Sequence, residues 1–345
     1  MKLWMKIIAG TMVTAGLLAG TSVQAATEKS KDEGWNVPNI ALGNGLTESE
    51  KKQTIDILMK DINKVPDLSS VDTSKYNTYT VDGNDLVKYV TDVPEFTSQS
   101  KAYSSAFIAR TKSGTGVNVD IVTPKNITAR TEAMYRSAAI TSGVYDAYIR
   151  IASVRTMDGS GALAGIYKIY DEIDPAADQT IQKNRDEKRD VAQQQMQVVS
   201  KIDDQNKDNK DYSSENVLVM LADIQIELQK INDKLDKMSQ DEKKQEVTKV
   251  VDEQIEKNGM QNAINPEMKT EVINNMVNFS STDAINDKEM TKQLSTFKDD
   301  IMKNGKEFKD NLLSDENVAK AKESAGGIWQ SIKDFFSGLF SSKDK

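Results

Sequence analysis

The sequence predicts an α+β N-terminal domain, a mixed sheet with packed helices, followed by an all-α and partly coiled-coil-like C-terminal half. Short segments rich in β-branched and aromatic residues mix with helical patterns up to residue 174, whereas Lys, Asp, Glu, Gln and Asn dominate from residue 176 onward. This order is typical of an α+β unit joined to a helical one. The expected division is a signal peptide at 1–25, a flexible segment at 26–36, an α+β domain at 37–174, a charged helical region at 175–313, and an amphipathic helix with a tail at 314–345.

The first 25 residues have the three parts of a secretory signal peptide. Lys2 and Lys6 form a basic start, residues 7–18 are apolar, and Val23-Gln24-Ala25 is a small-residue cleavage signal. The apolar stretch is shorter than the roughly 20 residues that a membrane-spanning helix needs. We therefore expect cleavage after Ala25 or Ala26 and a secreted or extracellular, cell-envelope-associated protein. No Cys follows the apolar stretch, which excludes a lipoprotein anchor.

The composition removes whole classes of chemistry, because the chain contains no His and no Cys. Ser-His-Asp and Cys-His mechanisms cannot be assembled, and the usual zinc ligands are missing. A carboxylate pair, a Ser-Lys pair and an oxygen-ligand metal site remain. The net charge of −8 argues against nucleic acid as a partner, since phosphates need a basic face.

The first domain carries clear helix signals. Thr47 with Glu50 before an amphipathic run is a capping-box pattern and predicts a helix over residues 48–63. Gly143 is a natural stop for a helix over residues 129–142. The other predicted elements are strands at 76–81 and 147–154, a short helix at 84–90 and a helix that begins near Ala162.

Two further segments, residues 101–111 and 117–123, read as strands. They flank Lys112-Ser113-Gly114-Thr115-Gly116, a turn-rich loop. Strands on either side of such a loop predict a β-hairpin.

In the helical half, Ser213 or Ser214 caps a long helix with a heptad seam. The seam could pair two chains or close on later helices as an antiparallel bundle, and we favour the bundle because the pattern lapses where helical partners follow. Its residues are Val217, Leu221, Ile224, Leu228, Ile231, Leu235 and Met238. The later helices are predicted at 246–258, 266–278, 287–313 and 316–340.

Several short stretches in the first domain resemble the YpuA-like family, secreted proteins of Gram-positive bacteria that carry a domain of unknown function. The resemblance covers residues 42–59 and 103–171 and leaves the charged helical half outside. It implies an exported, envelope-associated protein and supplies no catalytic residue. The matching stretches are Gly45-Leu46-Thr47, Ser104-Ser105-Ala106, Asn126-Ile127-Thr128, Met134-Tyr135 and Ser160-Gly161-Ala162-Leu163-Ala164-Gly165-Ile166-Tyr167.

Gly159, Ser160 and Gly161 formally fit a dinucleotide-binding pattern between a strand and a helix. The helix that follows leads to no strand with a ribose-binding acid, so close packing of small residues explains the pattern better. An anion or a carbohydrate carboxylate at the helix start remains as an alternative. Similarly, the loop at residues 113–116 could touch a ligand, but a plain turn explains it.

The catalytic candidates are weaker. Ser104 and Ser105 could form a Ser-Lys pair with Lys101, Lys112 or Lys168, although no spacing demands it. Four acidic residues could form a glycosidase pair or a calcium site, but surface charge around a helix end is the simpler interpretation. They are Asp158, Asp171, Glu172 and Asp174. We therefore predict no catalytic residue, no metal and no cofactor, and we retain Ser104, Ser105, Gly159, Ser160 and Gly161 as candidate contacts for a glycan or small anionic ligand.

A strongly amphipathic helix is predicted near the C-terminus, after a hinge at Gly326-Gly327. Its apolar face could enter a membrane interface, bind an envelope protein or dock internally. That face comprises Ile328, Trp329, Ile332, Phe335, Phe336, Leu339 and Phe340.

Three functions follow from these expectations. The leading one is an exported cell-envelope protein that acts as a non-catalytic binding or scaffold module. The alternatives are an envelope hydrolase that cleaves peptidoglycan or another glycan through carboxylates or a Ser-Lys pair, and a membrane-active secreted protein.

Overall fold

A computed structural model describes residues 33–312 except for residues 69, 174–178 and 210–211, and it describes side chains in the last helix as far as Lys303. The predicted signal peptide and the helix at 316–340 lie outside these residues. The fold class is confirmed, because a five-stranded mixed sheet with helices is followed by helices alone.

The sheet has the strand order β2-β1-β3-β5-β4. β1, β2, β4 and β5 run parallel to one another, and β3 is antiparallel to β1 and β5. The strands are β1 (Asn39–Gly43), β2 (Asn77–Val81), β3 (Ser105–Arg110), β4 (Val117–Ile121) and β5 (Ala147–Ala152).

The predicted hairpin between β3 and β4 is wrong, because β5 lies between them and pairs with both. The carboxylate of Asp146, just before β5, accepts hydrogen bonds from the amides of Gly114 (3.0 Å) and Gly116 (2.9 Å). These bonds hold the loop against the start of β5, so β4 reaches the far side of that strand. Nothing in the residues of β3 and β4 themselves specifies which neighbour each strand takes.

Four helices accompany the sheet: α1 (Glu48–Met59), α2 (Gly83–Tyr89), α3 (Glu132–Thr141) and α4 (Ser160–Ile173). The capping box of α1 is confirmed, since the Thr47 amide donates to the Glu50 carboxylate (2.8 Å) and Thr47 Oγ1 accepts from the Glu50 amide (3.3 Å). α1 ends before residue 63, as Asp61 adopts a left-handed φ of 57°. Gly143, with φ of 93°, follows α3 as predicted.

The helical half contains α5 (Gln179–Asn206), α6 (Ser214–Lys230), α7 (Asn232–Leu235), α8 (Gln240–Lys257), α9 (Pro266–Ser281) and α10 (Lys288–Leu312). α5 was not predicted, because its apolar stripe is diluted by Gln and charged residues. Ser213 is the N-cap of α6, and its hydroxyl accepts from the amide of Glu215 (3.2 Å).

The heptad seam does not lie on one continuous helix, because α6 ends at Lys230 and a separate turn, α7, follows. Val217, Leu221 and Leu228 are fully buried. They lie on α6, which packs on α3, α8, α9 and α10 of the same chain. The seam therefore closes within the chain, as the bundle interpretation predicts.

The two faces of the sheet bury different cores. α1 covers one face, where its Leu58 shares a core with Ile40 of β1 and Phe107 of β3. On the other face, α2 and α4 join an apolar core that continues through α3 and α5 into the helical half without a break. The division at residue 174 stays a prediction, but the two halves share this core.

The structure describes part of the expected flexible segment at residues 26–36. Residues Glu33–Trp35 form a 3-10 turn, and Gly34 packs on Ile173 at the end of α4. The Trp35 ring lies 5.4 Å from the Arg110 guanidinium at the end of β3. These residues therefore contact the first domain, and its boundary at residue 37 stays a prediction.

Candidate functional site at the carboxyl ends of the parallel strands

The stretches that carry the family resemblance converge largely at one end of the sheet. The parallel strands end here, and α1, α2 and α4 begin here. α1 follows β1 on one face and α4 follows β5 on the other, which is the kind of switch at which α/β sheets bind ligands. We call this end the carboxyl rim, formed by residues 44–47, 103–105, 153–155 and 158–161.

Ser104 and Ser105 form the buried part of the rim, and their hydroxyls bond to the backbone of neighbouring segments. Ser104 is 1% exposed, and its Oγ accepts a hydrogen bond from the amide of Ala162 in the first turn of α4 (2.9 Å). Ser105 is fully buried, and its Oγ lies 3.4 Å from the amide of Gly43, which donates to it. Neither hydroxyl is paired with a lysine: Lys168 instead forms an ion pair with Asp85 (2.8 Å).

The glycines of the rim permit close packing. Gly159 has a φ of +99°, and a Cβ there would lie 2.2 Å from the hydroxyl oxygen of Tyr135. That hydroxyl donates to the carbonyl of Gly159 (2.9 Å). A Cβ at Gly161 would lie 2.8 Å from the carbonyl oxygen of Ser104. Packing therefore accounts for both glycines without a ligand.

The start of α4 already has acceptors from its own chain. The Asp158 carboxylate accepts from the Ser160 amide (3.0 Å) and from the Ser160 hydroxyl (2.6 Å). A carboxylate at this position also stabilises the positive end of the helix dipole. Together with Ser104, Asp158 therefore occupies two of the amides that the predicted anion site would use.

A buried ion pair that was not predicted from the sequence connects the rim to the helical half. Arg130 and Asp92 are 2.8 Å apart, with side chains 4% and 3% exposed. The guanidinium also donates to Ser160 Oγ (3.3 Å), and Ser200 of α5 donates to Asp92 (2.9 Å). Because the two charges lie 38 residues apart in the sequence, no local pattern predicts that they pair.

The exposed part of the rim is an ion pair stacked on an aromatic ring. Arg155 donates two hydrogen bonds to Glu50 (2.7 and 3.0 Å), and its guanidinium lies 4.7 Å from the centre of the Tyr103 ring. The bond from Arg155, followed by those from Thr47, lowers the pKa of Glu50 to about 2. Gly45 admits the ring, because a Cβ there would lie 2.5 Å from Cε1 of Tyr103.

The remaining acid candidates do not come together. Asp171 accepts hydrogen bonds from Tyr89 (2.7 Å) and Arg189 (3.0 Å) beside a small cleft. The cleft has no room for a water-sized sphere, so it offers no pocket of the size that ligands occupy. Glu172 is exposed at the end of α4. Asp174 lies outside the described residues.

The other predicted contacts lie away from the rim or beyond the described chain. The amides of Gly114 and Gly116 donate to Asp146, and Lys101 and Lys112 are exposed. The predicted membrane or partner contacts at residues 328–340 lie outside the described residues. Among residues 33–312, where described, no cluster of acids is arranged to hold a metal ion and no helix is long and apolar enough to cross a membrane.

These features define a protein with a mixed five-stranded sheet whose core continues into a helical half. The chain belongs to the family described as "Protein of unknown function (DUF1002)", whose model matches residues 42–297. The match runs through the charged helical half, so the expectation that the resemblance stops near residue 171 is wrong. The two halves that the family model spans also share one apolar core.

The chain is also similar to the "Uncharacterized protein YpuA" of Bacillus subtilis (strain 168). The two are 29% identical over 191 residues, which is 55% of this chain and 57% of the relative. The chain thus spans little more than half the length of that relative. No solved structure matches.

Proposed function

We propose that the protein is an exported cell-envelope protein that acts as a non-catalytic binding or scaffold module. Export rests on the basic, apolar and small-residue parts of residues 1–25. Fractionation of cells that express the full chain, with and without residues 2–25, tests it. When the full chain is expressed, we expect the protein outside the cytoplasmic membrane, with its signal peptide removed so that its N-terminus is Ala26 or Thr27. The chain without residues 2–25 should stay in the cytoplasm.

One observation carries the non-catalytic part of the proposal. The groups best suited to hydrolysis are engaged in internal contacts: Ser104 with the amide of Ala162, Asp158 with Ser160, and Asp171 with Arg189. A Ser-Lys hydrolase needs a lysine within hydrogen-bond reach of the nucleophile, and Lys168 pairs with Asp85 instead.

A peptidoglycan zymogram of the purified chain from residue 26 tests this part. We expect no lytic band from the wild type or from the Ser104→Ala, Ser105→Ala and Asp158→Asn variants. Reproducible lysis that a single one of these substitutions abolishes would establish the hydrolase alternative instead.

A glycan ligand would meet the surface of the carboxyl rim, where the exposed Arg155 guanidinium lies on the half-buried ring of Tyr103. Co-sedimentation with purified peptidoglycan tests this contact. We expect Tyr103→Ala and Arg155→Ala to weaken binding. Arg110→Ala is the matched control, because Arg110 also lies against an aromatic ring, Trp35, but at the other end of the sheet. Equal binding by all four proteins would exclude the rim as the contact.

We propose that residues 328–340 contact a membrane surface or an envelope protein. The support is the one-sided placement of Trp329, Phe336 and Phe340 with their apolar neighbours. Co-sedimentation with anionic and with neutral liposomes compares the full chain with a chain that ends at Ala325. Loss of binding in the shorter chain supports a membrane contact, and equal behaviour of both chains rejects it.

A further inference from the structure

The two edges of the sheet differ in how they are protected. At β4, the amide of Ile121 donates to the carboxylate of Glu132 (2.9 Å), and α3 packs along the strand. At β2, the described elements that pack most closely are β1 and α4. On the opposite face, α1 packs mainly on β1, β3 and β5. β2 is therefore the open edge of the described sheet.

The backbone of β2 presents two residues outward. The amide of Asn77 donates to the carbonyl of Pro38 (2.9 Å), and the carbonyl of Val81 accepts from the amide of Asn44 (2.8 Å). Alternation along a strand then directs the backbone groups of residues 77, 79 and 81 toward β1. The amides and carbonyls of Thr78 and Thr80 face away from the sheet, and both residues are exposed.

β2 lacks the usual defences of an edge strand. It contains no Pro, no charged residue and no bulge, and its Thr, Tyr and Val residues favour strands. One of the exposed large hydrophobic residues of the described chain directly precedes it: Tyr76, which is 43% exposed.

We propose that β2 pairs antiparallel with β2 of a second copy of this chain, across a two-fold axis at Tyr79. Thr78 then lies opposite Thr80 of the second copy, and each such pair exchanges both of its amide–carbonyl hydrogen bonds. The Thr side chains become cross-strand neighbours, which is a favourable pairing. The two sheets merge into one continuous sheet.

The occupant is a second copy because the edge is complementary to itself. The outward residues are identical in type, so a two-fold axis satisfies each outward amide and carbonyl of Thr78 and Thr80. The strand carries no charge, so a copy of it meets no like charge in the pairing. Pairing through a strand of five residues should bury less surface than the roughly 1,200–2,000 Å² of a standard interface, so the dimer should be weak and reversible.

Analytical ultracentrifugation of the chain from residue 26, over a range of about 5–500 µM, tests the pairing. We expect a monomer at the low end and a dimer at the high end. Thr78→Lys with Thr80→Lys, and Thr78→Glu with Thr80→Glu, should each remain monomeric through charge repulsion, and an equal mixture should dimerise again. Thr270→Lys, at an exposed site on α9, should behave as the wild type.

A second measurement fixes the register. The chain has no Cys, so Thr78→Cys and Thr80→Cys introduce single thiols. Residues opposite each other across an antiparallel pair are close enough for a disulfide. Mild oxidation of a mixture should crosslink one variant to the other more than either to itself. A wild type that stays monomeric throughout, or charged variants that dimerise as the wild type does, would overturn the proposal.

Discussion

The Tyr145 hydroxyl donates a hydrogen bond of 2.7 Å to Oδ2 of Asp287. Lys188 of α5 forms an ion pair with the same oxygen, and the other carboxylate oxygen accepts from the Met290 amide at the start of α10 (3.0 Å). The backbone carbonyl of Asp287 accepts from Gln229 of α6 (2.9 Å). One residue thus joins the turn before β5 to three helices of the other half.

We expect Asp287→Ala to lower the free energy of unfolding by about 3–5 kcal/mol, because it removes the helix cap and leaves a partly buried lysine without its partner. Thermal and urea unfolding followed by circular dichroism measure the change. Asp299→Ala, at an exposed position of the same helix, is the matched control and should shift stability by less than about 0.5 kcal/mol. Similar losses of stability in both variants would contradict the role of Asp287 as a link between the two halves.

The carboxylate of Asp287 should also make the stability of the protein sensitive to acid. Burial works to raise the pKa of Asp287, but the bonds from Lys188, Met290 and Tyr145 outweigh it and hold the pKa below its usual 3.8. A group with a lowered pKa stabilises the fold above its unfolded value and loses that contribution as the pH falls through the folded pKa. The gap in stability between the wild type and Asp287→Asn should therefore be full at pH 7 and shrink below about pH 4. A gap that is constant from pH 7 to pH 2.5 would refute this.

Asp203 at the end of α5 predicts the opposite pH dependence. Burial raises its pKa to about 6, against a hydrogen bond from Tyr212 that lowers it, and the charges of Glu215 and Asp204 add to the rise. A raised pKa means that the stabilisation is full below the unfolded value of 3.8 and is lost as the pH rises through about 6. Asp203→Asn should therefore stabilise the protein by about 1–2 kcal/mol at pH 7.5 and by much less at pH 4. Asp299→Asn, at an exposed position of α10 away from Asp203, serves as the control in the same pH series.

The buried pair of Arg130 and Asp92 should behave differently from surface pairs. Arg130→Met leaves the Asp92 carboxylate buried without its partner and should cost about 3–5 kcal/mol. Arg130→Met with Asp92→Leu removes both charges and should cost clearly less than the two single changes added together. Lys64→Met breaks the exposed pair with Asp61 and should change stability by less than about 1 kcal/mol. Additive losses at positions 130 and 92 would show that the two charges do not interact.

Gly159 is the rim glycine with the strictest requirement. Gly159→Ala should cost about 3 kcal/mol or more, because it combines a positive φ with a clash against the Tyr135 hydroxyl. Gly114→Ala has a similar φ of +87° but open space, and should cost only about 1 kcal/mol. Tyr135→Phe removes the clashing oxygen, so the loss from Gly159→Ala should be smaller in that background. An equal loss of stability in the wild type and in Tyr135→Phe would show that the cost of Gly159→Ala comes from the backbone conformation alone.

Local patterns in the sequence predicted several elements correctly. Thr47 and Glu50 lie three residues apart, and Ser213 directly precedes its helix, so their bonds form within one turn. The heptad positions of α6 predicted a buried face, because spacing along a helix decides which side chains share that face. The same reasoning could not find α5, whose contacts through Gln193 and Gln197 are polar bonds to the carbonyls of Lys88 and Thr91.

The sequence by itself therefore determined the capped starts of α1 and α6, the class of fold and the absence of His and Cys chemistry. Only the tertiary structure decided that β5 separates β3 from β4, that Arg130 meets Asp92, and that Asp287 joins the two halves. The reason is physical: caps and stripes depend on residues within a turn or two of one another, whereas strand neighbours and buried charge pairs depend on which distant segments share the same core.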